Sequence, residues 1–384
     1  MTMSKLDELI QQYCPDGVEF YRLGNKELFK ITRGVVISKD DIQNHKGEYP
    51  VYSSQTENNG CLGYIDTYAI DGERVTWTTD GAKAGTVFYR VGKFNITNVC
   101  GCIEVVNKNI VNCKYLSYIF GSNTPNYVNK GMGNPKLMSN VVESIEIPVP
   151  PLPVQEEIVR ILDKMTELTA ELTAELTARR QQYEFYRDSL LTFGDDVEWK
   201  PVKELFKRIK GTPITAGQMK EIANDEGDIR IFAGGKTVVN AFEADIPKAN
   251  ITREPAVLVQ SRGVIDFIYY DKPFTFKNEM WAYGIKDENM SLKYLSYILG
   301  KNVEYFRDAA KGMGSLPQIS LPVTEDYEIP VPPLAEQKRI VEILDRFDKL
   351  CNDITEGLPA EIEARQKQYE YYRDKLLTFK RKEN

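Results

Sequence analysis

The sequence predicts an α+β architecture: two α/β domains joined and separated by two long helices forming an antiparallel coiled coil, arranged as a pseudo-twofold internal repeat. Three observations lead there. First, Ile147-Pro148-Val149-Pro150-Pro151-Leu152 returns as Ile329-Pro330-Val331-Pro332-Pro333-Leu334, 182 residues later. Second, each copy runs into an amphipathic stretch, Gln155–Asp163 and Gln337–Asp345, and both stretches close on matching aromatic clusters, at Gln182–Asp188 and Gln368–Asp374. Third, the segments between are built of short β-rich runs and Gly/Asn/Asp turns. A period this long marks duplicated domains rather than a solenoid, whose repeats run to about 20–50 residues.

Taken in order, residues 1–16 form an N-terminal helical element, with the helix over 4–13 closed by Cys14-Pro15-Asp16-Gly17. Residues 17–150 form the first domain, 151–194 the central helix, 195–332 the second domain and 333–384 the C-terminal helix. The two domains align at anchors. Lys26–Lys30 matches Lys203–Lys207, Lys114–Ile119 matches Lys293–Ile298, and Lys130-Gly131-Met132-Gly133 matches Lys311-Gly312-Met313-Gly314. Strands are expected at Tyr49–Tyr52, Arg74–Thr78, Thr86–Tyr89, Ala256–Val259 and Asp266–Tyr270, and a helix near 113–121 and again near 292–300. Elsewhere the two copies diverge, which is the pattern of one frame carrying two different readers.

The central helix carries Leu168, Leu172 and Leu176 within Glu-Leu-Thr-Ala tetrads. A spacing of four advances about 400° per step, so the apolar stripe drifts slowly and a tetrad can be added or removed without destroying the buried face. The second helix contains Gly357-Leu358-Pro359 and is expected to stop near Glu356 and restart at Pro359. Asp163 to Tyr183 is 20 residues and Asp345 to Tyr369 is 24, a difference of one tetrad. Helices of about 35–40 residues span roughly 50–60 Å, a rigid spacer. The plainer reading is that each helix covers only its own domain. The face predicted to pack, either on the other helix or on a partner, comprises Ile158, Ile161, Leu162, Leu168, Leu172, Leu176, Tyr183 and Tyr186 in the first helix, and Ile340, Ile343, Leu344, Phe347, Tyr369 and Tyr372 in the second.

Catalytic chemistry is missing. The single histidine, His45, sits in a polar loop, so neither a Ser-His-Asp triad nor a two-histidine metal site is available. Six cysteines fall at no ligand-like spacing and no metal site is expected. Ala233-Gly234-Gly235-Lys236-Thr237 resembles the end of a phosphate-binding loop, but Arg230 stands where that motif needs glycine. No Asn/Asp-Pro-Pro-Tyr/Phe tetrapeptide of an amino-methyltransferase occurs. There is no run of 18 apolar residues and no signal-like N-terminus, so a cytoplasmic protein with reduced cysteines and no membrane contact is expected. Net charge is −7. That sits poorly with a nucleic-acid binder, which is usually basic. Part of the deficit lies in the helices: residues 17–150 are near neutral, with 14 bases against 13 acids, while 194–330 carry 18 against 21.

The paired Pro-Val-Pro-Pro-Leu-x-x-Gln and Ile-Val-x-Ile-Leu-Asp motifs, the Tyr-Tyr-Arg-Asp-x-Leu-Leu ending at Tyr371–Leu377 and the tetrads together resemble the DNA-specificity (S) subunit of Type I restriction-modification systems. The likeness is closest to the subgroup with Thr-Ala-Glu-Leu repeats in the central helix, and it covers essentially the whole chain. It implies a non-catalytic subunit with no cofactor of its own. Each domain would be a target-recognition domain reading one half of an asymmetric, bipartite site in double-stranded DNA. The helices would set the spacer and dock two methyltransferase subunits, which use S-adenosylmethionine, while two restriction subunits use ATP and Mg²⁺. The competing reading is a protein-binding scaffold with two related domains and no DNA specificity, which the acidic balance favours.

Base readout needs polar side chains at groove edges, while cations and backbone N–H groups hold phosphates. Glycine-flanked loops let backbone approach the duplex. The candidate contacts are therefore Ser53, Ser54, Gln55, Thr79, Lys83, Lys130, Asn134 and Lys136 in the first domain. In the second they are Lys236, Thr237, Ser261, Arg262, Lys311, Ser315 and Gln318. Lys130 and Lys311 recur at matching places and are expected to hold phosphate rather than specify a base.

Overall fold

The computed structural model describes residues 4–131, 133–235, 237–310, 316–353 and 355–383. It forms two compact units, one made of Met1–Thr173 with Glu361–Asn384, the other of Ala174–Ala360.

In the first unit the main sheet holds β1 (Phe29–Arg33), β2 (Arg74–Thr78), β3 (Val87–Arg90) and β4 (Cys100–Val105). All pairings are antiparallel, in the spatial order β1-β4-β2-β3. Alternate residues of these strands, Val75, Trp77, Ile103 and Val105, bury one face against Tyr115, Leu116, Ile119 and Phe120 of the helix Cys113–Asn123. Asn112 starts that helix by accepting from the N–H groups of Lys114 and Tyr115. A second, mixed sheet pairs Lys46–Tyr52 with Cys61–Ile65 on one side and Lys93–Ile96 on the other.

The second unit repeats this plan. Its main sheet holds β5 (Phe206–Lys210), β6 (Ala256–Gln260), β7 (Asp266–Tyr270) and β8 (Trp281–Ile285), in the order β5-β8-β6-β7. The helix Leu292–Lys301 covers it, and Ile229–Phe232 lies between Val238–Ala241 and Phe274–Phe276 in the smaller sheet. In each unit an antiparallel ribbon, Glu19–Arg22 with Glu146–Val149 or Trp199–Pro201 with Glu328–Pro330, leads the chain out into a long helix.

Those helices begin on the same device. The buried side chain of Gln155 accepts from the Asn112 N–H at 2.8 Å and donates to the carbonyls of Ile110 and Pro150 at 2.7 and 2.6 Å. Gln337 does the same with Ser291 N–H, Asn289 and Pro332 at 2.9, 3.0 and 2.9 Å. About two turns on, Asp163 accepts from Lys114 and Tyr118 at 2.7 and 2.6 Å, and Asp345 from Lys293 and Tyr297 at 2.6 and 2.7 Å. These matched contacts orient each helix on its domain.

The central helix Leu152–Leu190 is continuous over 39 residues. In the first unit its residues Val154, Ile158 and Leu162 are buried, with Ile161 and Val159 alongside, and Tyr369, Leu376, Leu377 and Phe379 of the C-terminal segment join that core. Ile161, Met165 and Leu168 face Tyr372, Gln368 and Arg365 across a narrow cleft, so the two helices run antiparallel there. In the second unit Ile340 and Leu344 are buried with Leu191, while Tyr183 and Leu190 flank them. Phe347 stacks on Tyr186 at 5.5 Å and meets Tyr183 at 6.3 Å. Ile343 is half-buried. Further along the central helix, Leu172 and Leu176 are only half-buried and Leu168 is 37% exposed.

The C-terminal stretch differs in one boundary from its expected form. Its first helix, Leu334–Asn352, ends ahead of Glu356, and the second, Leu358–Leu376, carries Pro359 in its first turn. The Asp353 carboxylate explains the early stop, since it accepts from the N–H groups of Thr355 and Glu356 and replaces helical partners. The chain then returns to the first ribbon. Val18 N–H donates to the Lys380 carbonyl at 2.9 Å, Lys382 N–H donates to Val18 at 3.0 Å, and Arg381 pairs with Glu146 at 2.6 Å.

Candidate nucleic-acid interface

In the first unit two separated loops are stitched into one surface. Thr79-Asp80-Gly81 leaves β2 and meets Pro135-Lys136-Leu137: Leu137 N–H donates to the Thr79 carbonyl at 2.9 Å, and Gly81 N–H to the Pro135 carbonyl at 3.1 Å. Asp80 and Lys136 thereby face each other in a bridge, and Lys136 exchanges both backbone bonds with Asn129. The Trp77 indole N–H, fully buried below, donates to the Leu137 carbonyl at 2.9 Å and pins the junction to the core.

The second unit builds the same junction from different side chains. Ile319 N–H donates to the Ser261 carbonyl at 2.9 Å and Gly263 N–H to the Pro317 carbonyl at 2.8 Å, so Arg262 faces Gln318. Each position lies 182 residues from its counterpart, the same offset as the proline motif. A third loop joins here: Gly235, at φ +73°, donates its N–H to the Arg262 carbonyl at 2.9 Å. The chain then enters the strand Val238–Ala241 rather than a helix, so the glycine pair does not open a phosphate-binding helix.

The expected contact residues divide by burial. Lys83, Lys130, Asn134 and Lys136 are exposed around the first junction, as are Thr237 and Arg262 at the second, with Gln318 half-buried. Ser53, Ser54 and Gln55 are half-buried in a neighbouring loop: Ser53 accepts from Thr97 at 3.2 Å, and Gln55 donates its amide to the Cys61 carbonyl. Thr79 and Ser261 are corrections. Both are fully buried; Thr79 donates to Asp80 at 2.6 Å and Ser261 to the Glu279 carbonyl at 2.7 Å, so they shape the junctions and their hydroxyls do not face solvent. Lys236, Lys311 and Ser315 lie outside the described residues.

Three contributors escaped the sequence reading. Asp80 is not among the candidate contacts, although it stands between Thr79 and Lys83, which are. Trp77 reads as ordinary core until its indole is seen to hold Leu137. Arg90 is buried, stacked 3.7 Å from the Tyr52 ring, and donates to the Asn59 carbonyl at 2.7 Å, which fixes the loop carrying Gln55. Burial pulls its guanidinium below the ordinary arginine value. The constant offset of 182 was the available signal for Asp80, since it pairs Gly81 with Gly263 and Pro135 with Pro317.

Beside the first junction lies a groove of 860 Å³ between β3 and the helix Cys113–Asn123. Lys83, Lys114, Lys130 and Arg373 line it; Lys114 is paired with Asp163 and Arg373 with Asp374, which leaves Lys83 and Lys130 as its cations without an ion pair among the described residues. Among the described residues no cluster of three or more His, Cys, Asp or Glu is placed to hold a metal ion. No described helix is long and apolar enough to cross a membrane.

Comparison with known proteins agrees with this architecture. The family model of the Type I restriction modification DNA specificity domain matches residues 15–179 and again 194–364. A Mycoplasma pneumoniae protein described as a type I specificity subunit is 34% identical over 361 residues, covering 92% of this chain and 96% of the relative. The specificity subunit of the Escherichia coli type I restriction enzyme EcoR124I/EcoR124II is 38% identical over 263 residues, covering 63% and 64%. Among solved structures, the S subunit of the M. genitalium Type I restriction-modification system has a TM-score of 0.64 at 14% identity, covering 94% of this chain and 96% of that one. A chain from a study of type I system assembly has a TM-score of 0.55 at 16% identity, covering 94% and 98%. At such identities the structures establish the fold. The family match and the relatives establish membership: the chain belongs to the Type I restriction-modification DNA specificity family. Its task is recognition of DNA sequence as part of a type I assembly, and catalysis rests with other subunits.

Proposed function

We propose that residues 17–150 and 195–332 are two target-recognition domains, each reading one half of an asymmetric, bipartite DNA site, with the helices setting the spacer between halves. The observation that carries this reading is the repeated junction. The backbone bonds at Thr79–Gly81 with Pro135–Leu137 recur at Ser261–Gly263 with Pro317–Ile319, while the facing side chains change from Asp80 and Lys136 to Arg262 and Gln318. A constant frame with variable polar tips is what reading two different half-sites requires. In this reading Lys83, Lys130, Asn134 and Lys136, with Thr237, Arg262 and Gln318, meet DNA; Lys236, Lys311 and Ser315, which lie outside the described residues, are assigned the same role.

The finer assignments rest on the family resemblance. The helices dock two methyltransferase subunits that bring S-adenosylmethionine and methylate adenine, and two restriction subunits bring ATP and Mg²⁺. The exposure of Leu168, Phe185, Tyr186, Tyr371 and Tyr372 supports a helical surface completed by a partner. The tetrads of the central helix support the reading of this chain as one of the Thr-Ala-Glu-Leu subgroup, in its shorter-spacer form. A cytoplasmic location fits this task.

The test is single-molecule methylation sequencing of DNA from cells co-expressing the chain with its cognate methyltransferase subunit. A split motif with methyladenine in both halves is expected. No new motif, with the methyltransferase proven competent through another specificity chain, would return the scaffold reading.

A further inference from the structure

We infer that the facing tip pairs specify bases: Asp80 with Lys136 reads a G·C pair in one half-site, and Arg262 with Gln318 reads a guanine beside an adenine in the other. This rests on the two-reader function proposed above and names its specificity-determining residues.

The argument begins with the backbone. At both junctions two N–H groups are consumed by two carbonyls at equivalent positions, so the tips are held by main-chain bonds that do not depend on the facing side chains. The flanking residues serve that frame. Thr79 and Ser261 are buried, Leu137 and Ile319 lie in the cores, and Gly81 and Gly263 sit at φ +100° and +80°. At the tips, Lys136 and Arg262 are exposed and Asp80 and Gln318 half-buried. Among the described residues, those of Lys136, Arg262 and Gln318 form no hydrogen bond or ion pair, and Asp80 accepts only from its neighbour Thr79. Lys136, Arg262 and Gln318 therefore present donors and acceptors on a rigid support with nothing of their own to bind, and Asp80 has a second carboxylate oxygen beyond the one that accepts from Thr79.

The chemistry of each pair then limits the base. A carboxylate only accepts, and the major-groove donor on a G·C pair is the cytosine amino group; the ammonium of Lys136 meets guanine O6 and N7 on the same pair. Asp80 would be repelled by phosphate, so an acid at this half-buried tip favours base readout over backbone holding. Arginine matches guanine O6 and N7 with two parallel donors, and the glutamine amide matches adenine N6 and N7. The surrounding lysines, Lys83 and Lys130 in the first unit, are single charges suited to phosphate.

The experiment is methylation sequencing of the complete complex carrying Arg262→Ala or Lys136→Ala. Each variant is expected to lose discrimination at one position of one half-site, by roughly 5- to 150-fold. The other half-site and the spacer should stay unchanged, and their retention shows the variant to be folded. An unchanged motif in both variants overturns the inference while leaving the two-reader function standing. Absence of any motif with the unaltered chain overturns both. Should an alanine variant abolish methylation altogether, Arg262→Lys decides: lysine also reads guanine, so recovery of the original motif supports the assignment, and continued loss reduces the tip to a structural role.

Discussion

At the scale of single residues the molecule relies on close approaches that tolerate no extra atom. Trp77 packs flat on β4 opposite Gly101, where an added Cβ would lie 2.2 Å from the indole ring. The same indole carries the bond to Leu137, so Gly101→Ala displaces both core and junction. It should lower stability by about 1–3 kcal/mol, as overpacking does, and thermal melting of the complex should fall by several degrees. An unchanged midpoint would show that the ring can shift without cost. The cysteines make a second case. All six are buried, and burial pushes the thiols of Cys100 and Cys113 up to about 12 and that of Cys102 to about 11. At pH 8 these three should resist a thiol reagent in the native protein and react once it is denatured. Rapid labelling of the native chain at Cys100 would contradict the packing.

At the scale of elements, stability turns on how each long helix is fastened to its domain. Gln155 and Gln337 each satisfy three backbone groups, one of them in a buried bond and two in part-buried ones, and replacement by leucine removes the partner of all three. Gln155→Leu should cost about 2–4 kcal/mol in chemical denaturation, and Gln337→Leu a similar amount in its own unit. A loss below half a kcal/mol would mean that water reaches the site. The N-terminal helix is fastened by charge. The nearly buried Glu157 carboxylate pairs with Arg160 at 2.6 Å and Lys5 at 3.0 Å, and hydrogen bonds from Arg160 first, then Lys5, hold it down to about 2. Because the folded value lies below the ordinary 4.5, its contribution is present above pH 4.5 and is lost as pH falls from there towards 2. Arg160 and Lys5 are themselves solvent-screened, so the contribution is about 1–2 kcal/mol. Denaturation followed from pH 6 to pH 3 should show Glu157→Gln flattening this loss, and a parallel acid slope in both proteins would exclude Glu157 as its source.

At the scale of the whole molecule, the central helix is the proposed ruler. One more Glu-Leu-Thr-Ala tetrad after Ala178 adds about 6 Å of helix, against about 3.4 Å per base pair. The methylated motif should keep both half-sites and gain one or two unspecified base pairs. A motif with altered half-sites and the original spacer would refute the ruler. With a net charge of −7, DNA affinity in the proposed reading rests on local cations such as Lys83, Lys130 and Lys136 rather than on bulk charge. Affinity should therefore fall with added salt, in proportion to the phosphates neutralised. A binding constant indifferent to salt would favour the scaffold.

What the sequence determined by itself is the plan of duplication. The 182-residue repeat, the helix pattern and the absence of catalytic motifs led to two domains with long helices and to the family, because hydrophobic period, proline placement and motif spacing are local signals along one chain. Strand and helix positions such as Arg74–Thr78 and Leu292–Lys301 were legible for the same reason. The candidate surface was legible only as a set of loops. Tertiary structure decided which loops meet, since the partners at Thr79 and Leu137 are 58 residues apart and their pairing rests on main-chain bonds that carry no side-chain signature. It also decided that Thr79 and Ser261 are buried while Arg262 is exposed and Asp80 half-buried. A side chain's direction at a strand end depends on what the sheet packs against, and composition does not record that.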